Sequence, residues 1–292
     1  MTKIFDSIIE KEVEHIGNSE HMRVGVLDSK MCAMALWHTG SELPKSLIKL
    51  LRLFSQVTGD PQILTYQDII IENPRSDLRT FFHKKSIGQS ESFFYVMHQI
   101  IEDVMIPVIG IIKNAISLGF ISENYLNEVQ NRLIKANQIM GELMDSLNNL
   151  DFVIFRKFLS SVGDLKGPSG AFSGTYPILD LLWLGNSNVF KGNLERYKVD
   201  NMYFPSFQRK DILSLTNNIF VSVNTLKSTN IAGFESLYEI LQKYLTEFRG
   251  RHLGAVKKHI PDVFNDKERG TMGQNATGNY LKDSLKHTKE ET

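Results

Sequence analysis

The stretch from residue 90 to 117 places the tightest limit on the fold. Apolar side chains fall on nearly every side of its helical wheel, the pattern of a helix surrounded by other helices. Such a helix needs neighbours with one apolar stripe each, and the rest of the chain supplies them. Over residues 44 to 57, Leu47, Leu50, Leu51 and Phe54 share a face, and Thr58-Gly59-Asp60-Pro61 stops the run. Ser122 opens an amphipathic helix reaching about residue 147, with Leu126, Val129, Leu133, Ile134, Ile139 and Leu143 turned inward. Another begins near Asp151, shorter helices are predicted over 177 to 184 and 211 to 225, and a long one over 233 to 260 aligns Leu237, Leu241, Tyr244, Phe248, His252 and Val256. A short helical segment is expected near the N-terminus and another over 279 to 285. Residues 63 to 72 read as a short strand or an extended loop that Asn73-Pro74 ends. The expectation is an all-α fold, with residues 1 to 60 as an N-terminal helical segment and 61 to 292 as a helical domain. No repeat and no linker divides the chain, so the two should form one continuous unit.

Thirty-three Lys and Arg balance thirty-three Asp and Glu. That balance removes the broad basic field that nucleic acid or anionic lipid requires, and leaves a small molecule or another protein as partner. The single cysteine, Cys32, excludes a disulfide framework and any cysteine-rich metal site, and fits a reducing compartment. The apolar run near residues 93 to 118 is interrupted by His98, Glu102, Asp103 and Lys113, too many ionisable groups for an ordinary membrane span, and MTKIFDSIIEKEVEH is not a signal peptide. A soluble cytoplasmic protein with no membrane partner is expected.

Of the eight histidines, His15, His21, His38, His83, His98, His252, His259 and His287, no pair has the His-Glu-x-x-His spacing of a zinc hydrolase. Phosphate-binding glycine loops and the serine-hydrolase elbow are also absent from the sequence. His98 and His252 stand on apolar helical stripes. An imidazole there is ordinarily a core residue that must find hydrogen-bond partners. His252 has distinctive neighbours: Arg249 one turn earlier, with Gly250 and Gly254 flanking it. An imidazole can ligate iron axially, an arginine can pair with a heme propionate, and glycines let a helix approach a flat macrocycle. His259, on the same stripe, is the rival ligand. In LDFVIFRKFLS, residues 150 to 160, Phe152 and Arg156 lie one turn apart; they suit an aromatic amino acid, or simply an amphipathic helix with a surface arginine. The small-residue stretch SVGDLKGPSGAFSG, residues 161 to 174, is either a binding loop or a plain connection.

These segments, in this order, resemble the heme-dependent tryptophan and indoleamine dioxygenases. LDFVIFRKFLS followed by GPSGAFSG is similar to that family's carboxylate-binding segment and loop, and FRGRHLGAVKKHI, residues 248 to 260, to its proximal-histidine helix. GTMGQNATGNYL, residues 270 to 281, resembles its GTGG loop. PQILTYQD, residues 61 to 68, and SESFFYVMHQ, residues 90 to 99, look more like the indoleamine branch. The resemblance implies a helical bundle enclosing heme b, with His252 as the iron ligand, Arg249 supporting a propionate or the packing behind the helix, and His259 structural. Arg156 would bind the carboxylate of tryptophan or a close indole relative, with dioxygen as co-substrate, and Phe152 would pack on the indole. Thr271 would contact the amino-acid end, Ser169 and Gly170 would lie along the heme and pocket edge, and Tyr66 would help line the pocket.

Two positions depart from the family. Gln89-Ser90-Glu91 stands where tryptophan dioxygenases carry His-Asp-Glu, so Ser90 is expected at the distal position and no imidazole at the indole nitrogen. Met272 replaces a glycine in the loop. The resemblance implies cleavage of the indole 2,3 bond to N-formylkynurenine. It leaves open monooxygenation, hydroxylation or rearrangement of an aromatic amino acid, a heme sensor or carrier without turnover, and monomer or homo-oligomer.

Overall fold

A computed structural model describes residues 20–82, 86–161 and 165–259, together with 282, 283, 285 and 286. Its described elements are all helical: α1 Glu20–His38, α2 Lys45–Thr58, α3 Ser86–Leu118, α4 Glu123–Ser146, α5 Asn149–Arg156, α6 Thr175–Leu184, α7 Lys191–Val199, α8 Ser206–Asn217, α9 Val223–Ser228 and α10 Phe234–His259. The expected all-α class is what the structure has. Where a strand or extended loop was an option, Gln67–Ile71 makes one turn of π-helix. Asp68 holds that turn by accepting from the Thr65 amide at 2.7 Å and hydroxyl at 2.6 Å, while the buried Lys30 of α1 pairs with it at 2.8 Å. The single helix predicted over 211 to 225 is two, α8 and α9. Residues 218 to 222 are not helical, and the Ser222 hydroxyl caps the second by accepting from Thr225 N. Polar α7 was not foreseen.

α3 is central. It packs against α4, α5 and α6, and its buried residues run from Gly88 to Ala115. By length and composition it could cross a membrane, but 56% of its most apolar window is buried inside the fold, as for the core helix of a globular domain. α4 lies between α3 and α10, and Asn137 ties it to α10 by donating to the Tyr244 carbonyl at 3.0 Å. The core runs continuously from Leu27 of α1 to Phe248 of α10, so packing crosses the boundary expected at residue 60.

α3 also buries two carboxyl groups. Glu91 accepts from the Phe81 and Phe82 amides at 2.9 and 3.1 Å and from the Tyr95 hydroxyl at 2.8 Å. Glu102 accepts from Tyr66 at 2.8 Å and Thr175 at 2.6 Å. Burial pushes both pKa values up to about 7 against the pull of those hydrogen bonds. A carboxyl whose folded pKa is raised binds a proton more readily folded than unfolded. Its contribution is therefore complete below the unfolded pKa of 4.5 and is lost as pH rises through about 7. Thermal melts of wild type and Glu102→Gln across that window should show a wild-type melting temperature that falls relative to the variant's as pH rises. Parallel curves would show that Glu102 carries no such linkage.

Candidate functional site

α5 starts where it does because the Asn148 side chain accepts from Leu150 N at 3.0 Å and Asp151 N at 3.1 Å. Four-residue spacing then turns Phe152 and Arg156 inward and leaves Leu150, Val153 and Ile154 exposed. Ser90 at the start of α3 donates to Asp151 at 2.8 Å and fixes α5 from the other side. Inward of α5 lies a cavity of about 110 Å³. α3 contributes Phe94 and His98, and α4 a wall of Met140, Leu143, Met144 and Leu147. α10 contributes His252, Ala255, Val256 and His259, which repeat at helical spacing.

The small-residue loop closes the remaining side with Pro168, Ser169, Gly170 and Ala171. Its glycines do different things. A Cβ on Gly167 would stand 2.2 Å from the Leu159 carbonyl oxygen, so glycine there lets the loop lie against the turn that follows α5. A Cβ on Gly170 would meet nothing within 4 Å. Ser169 caps the short turn Gly170–Phe172 by accepting from Ala171 N at 3.3 Å. Gly250 and Gly254 of α10 are not cavity residues, and a Cβ on Gly254 would simply touch Met144 at 3.7 Å.

Three imidazoles face this cavity in different states. His259 is fully engaged, with Nε2 at 3.0 Å from the Met144 carbonyl and Nδ1 against the Asn149 side-chain amide. Since a carbonyl only accepts, Nε2 carries the hydrogen, and Nδ1 is served when the amide presents its NH2 group. His98 donates from Nδ1 to the Phe94 carbonyl at 2.8 Å, which leaves Nε2 as a bare acceptor. His252 makes no hydrogen bond among the described residues. Burial pushes the pKa values of His98 and His252 down to about 4, and His98 adds a smaller downward effect on His252, so both rings are neutral at pH 7. Aromatic rings line the space between: Phe94 lies 5.5 Å from Phe152, and Phe152 5.8 Å from His259.

No family model and no curated protein matches the chain. Geometry alone therefore locates the residues singled out in the sequence. It brings Phe152, Arg156, Ser169, Gly170 and His252 to one cavity. Arg249 is not in that wall; it forms an ion pair with the buried Asp180 of α6. Tyr66 is buried against Glu102, away from the cavity walls. Ser90 is engaged by Asp151 outside them, and the α3 imidazole that lines the cavity together with His252 is His98. It lies two turns further along α3 than Ser90. Thr271 and Met272 lie outside the described residues. Asp180 was missed in the sequence, although a lone acid within TYPILDLLWL signals a buried charge in need of a cation.

Proposed function

We propose that this chain is a heme-dependent oxygenase of tryptophan or a close indole relative, one that inserts both atoms of dioxygen across the indole 2,3 bond to give N-formylkynurenine. The observation that carries this reading is the neutral, unpartnered His252 imidazole, sharing an aromatic-lined cavity with His98 and the buried Arg156. A half-buried imidazole on a cavity wall, with no hydrogen-bond partner among the described residues, has a lone pair to offer a ligand, and an iron porphyrin is such a group. Gly170, with open space where a side chain would project, suits a flat ligand along the loop.

His252 would hold the iron, which when bound supplies the activation of dioxygen. The other residues provide placement. Arg156 offers a fork for the carboxylate, and Phe94 and Phe152 offer faces and edges to an indole. The bare Nε2 of His98 can accept a hydrogen bond from the indole N–H, because Nδ1 already has its partner. Apolar Met140, Leu143 and Leu147 keep water from the reacting atoms.

The test is one preparation and two measurements. Purified protein should show a heme absorption band that L-tryptophan displaces, and turnover under oxygen should add two oxygen atoms to the substrate mass. A gain of one atom would make it a monooxygenase. A band indifferent to tryptophan would favour a carrier, and a colourless protein that cannot be reconstituted with hemin would overturn the reading.

A further inference from the structure

α6 touches both histidine-bearing helices, about one turn from each imidazole. At its N-terminus Thr175 donates to Glu102, one turn after His98 on α3. Further along, Asp180 pairs with Arg249, which lies about one turn before His252 on α10, and Tyr176 stacks on Phe248 with ring centroids 5.1 Å apart. The second Asp180 oxygen accepts from the Tyr197 hydroxyl of α7 at 3.2 Å. Every residue of α6 except Tyr176 is buried, so the helix has no room to slide between its two attachments. His252, in contrast, has no hydrogen bond among the described residues to orient the ring.

We propose that Asp180 is a positioning residue for His252. Through Arg249 it fixes the turn of α10 that carries the imidazole, and with Thr175 at the other end of α6 it sets the spacing between His252 and His98. This rests on the reading of His252 as an iron ligand. Histidine ligands are usually held by a hydrogen bond to the ring itself; here the support acts one helical turn away, on the backbone that carries the ring. The pair is largely buried, and a buried carboxylate with its arginine in place resists any shift of α10 that would leave either charge alone.

Asp180→Asn keeps the shape and the Tyr197 contact and removes the charge. Wild type, Asp180→Asn, Arg249→Lys, Thr175→Val and His252→Ala would each be titrated with hemin, and the iron–histidine stretching band of the ferrous forms read by resonance Raman. Asp180→Asn should weaken hemin binding about tenfold to a hundredfold, the usual effect of removing a support behind a ligating histidine, and should move the band. Arg249→Lys, which keeps the charge, should recover most of the affinity. Thr175→Val should leave that band in place and shift the carbonyl stretch of the carbon monoxide complex, which senses the His98 side. If Asp180→Asn keeps the wild-type band and loses affinity only as its melting temperature falls, Asp180 is merely structural and the inference is overturned. Should that variant fail to fold, Arg249→Met beside Arg249→Lys poses the same question, and equal bands in the two give the same negative answer. A wild type that takes up no hemin, or a His252→Ala protein that binds it normally, overturns the iron-ligand reading itself.

Discussion

The His252→Ala protein should leave purification without its porphyrin while folding at least as well as wild type. The two halves of this result have separate causes. On the binding side, in the proposed reading, the imidazole would hold the iron. Since supports behind a ligating histidine are worth about ten- to a hundredfold in affinity, loss of the ligand should weaken hemin binding by more than about a hundredfold. On the folding side the half-buried imidazole makes no hydrogen bond among the described residues, so its removal breaks none of them. Alanine is also the best helix former for a position inside α10. The apo melting temperature should therefore hold or rise while stoichiometric heme and turnover disappear. Added imidazole, entering the vacated space, should restore part of the absorption band. A variant that keeps its colour would place the iron ligand elsewhere. His259 is a poor substitute, because both of its nitrogens are already bonded. A variant that loses colour only because it unfolds would give His252 a purely structural role.

How much of this was legible in the sequence differs from element to element. The all-round apolar pattern of residues 90 to 117 identified α3 as central, because a helix with no polar face has nowhere to go but the middle of other helices. The same completeness hid the place of His98 on a cavity wall: with apolar residues on every side, periodicity does not say which side fronts a cavity. Ser90 was assigned that place by resemblance, and the helix instead carries Ser90 to Asp151 and His98 to the pocket. α7 was invisible because its sequence, KGNLERYKV, has no apolar stripe and buries only Asn193 and Tyr197. Asp180 is the opposite case. It stands out chemically within its apolar run, but its partner Arg249 is sixty-nine positions away, and only the fold brings them together. Local spacing thus found the residues that sit on one helix, Phe152 with Arg156 and His252 with its neighbours. It missed the contacts that join helices, and those hold the site in shape.

Arg156→Ala should reduce kcat/KM for tryptophan by about thirtyfold or more, because truncating one partner of a buried charge-assisted pair costs about 2 kcal/mol or more, and each 1.4 kcal/mol is a factor of ten. The side chain is 5% exposed on a cavity wall, so a carboxylate meeting it would be largely withdrawn from water, where the pair is strongest and its loss least compensated. Arg156→Lys tests whether geometry or charge matters: a lysine restores the charge but not the planar fork, and should recover only a minor part of the lost efficiency. Tryptamine, which lacks the carboxylate, provides the complementary measurement. Wild type should handle it poorly, and Arg156→Ala should be impaired on it far less than on tryptophan, since the group that Arg156 binds is already gone. The heme band without substrate should be the same in all three proteins, because Arg156 is assigned to the substrate and not to the iron. Were Arg156→Ala to match wild type on tryptophan, or to lose activity equally on both substrates, the guanidinium would be a packing group of α5 and the amino-acid end of the substrate would have to be sought on another wall of the cavity.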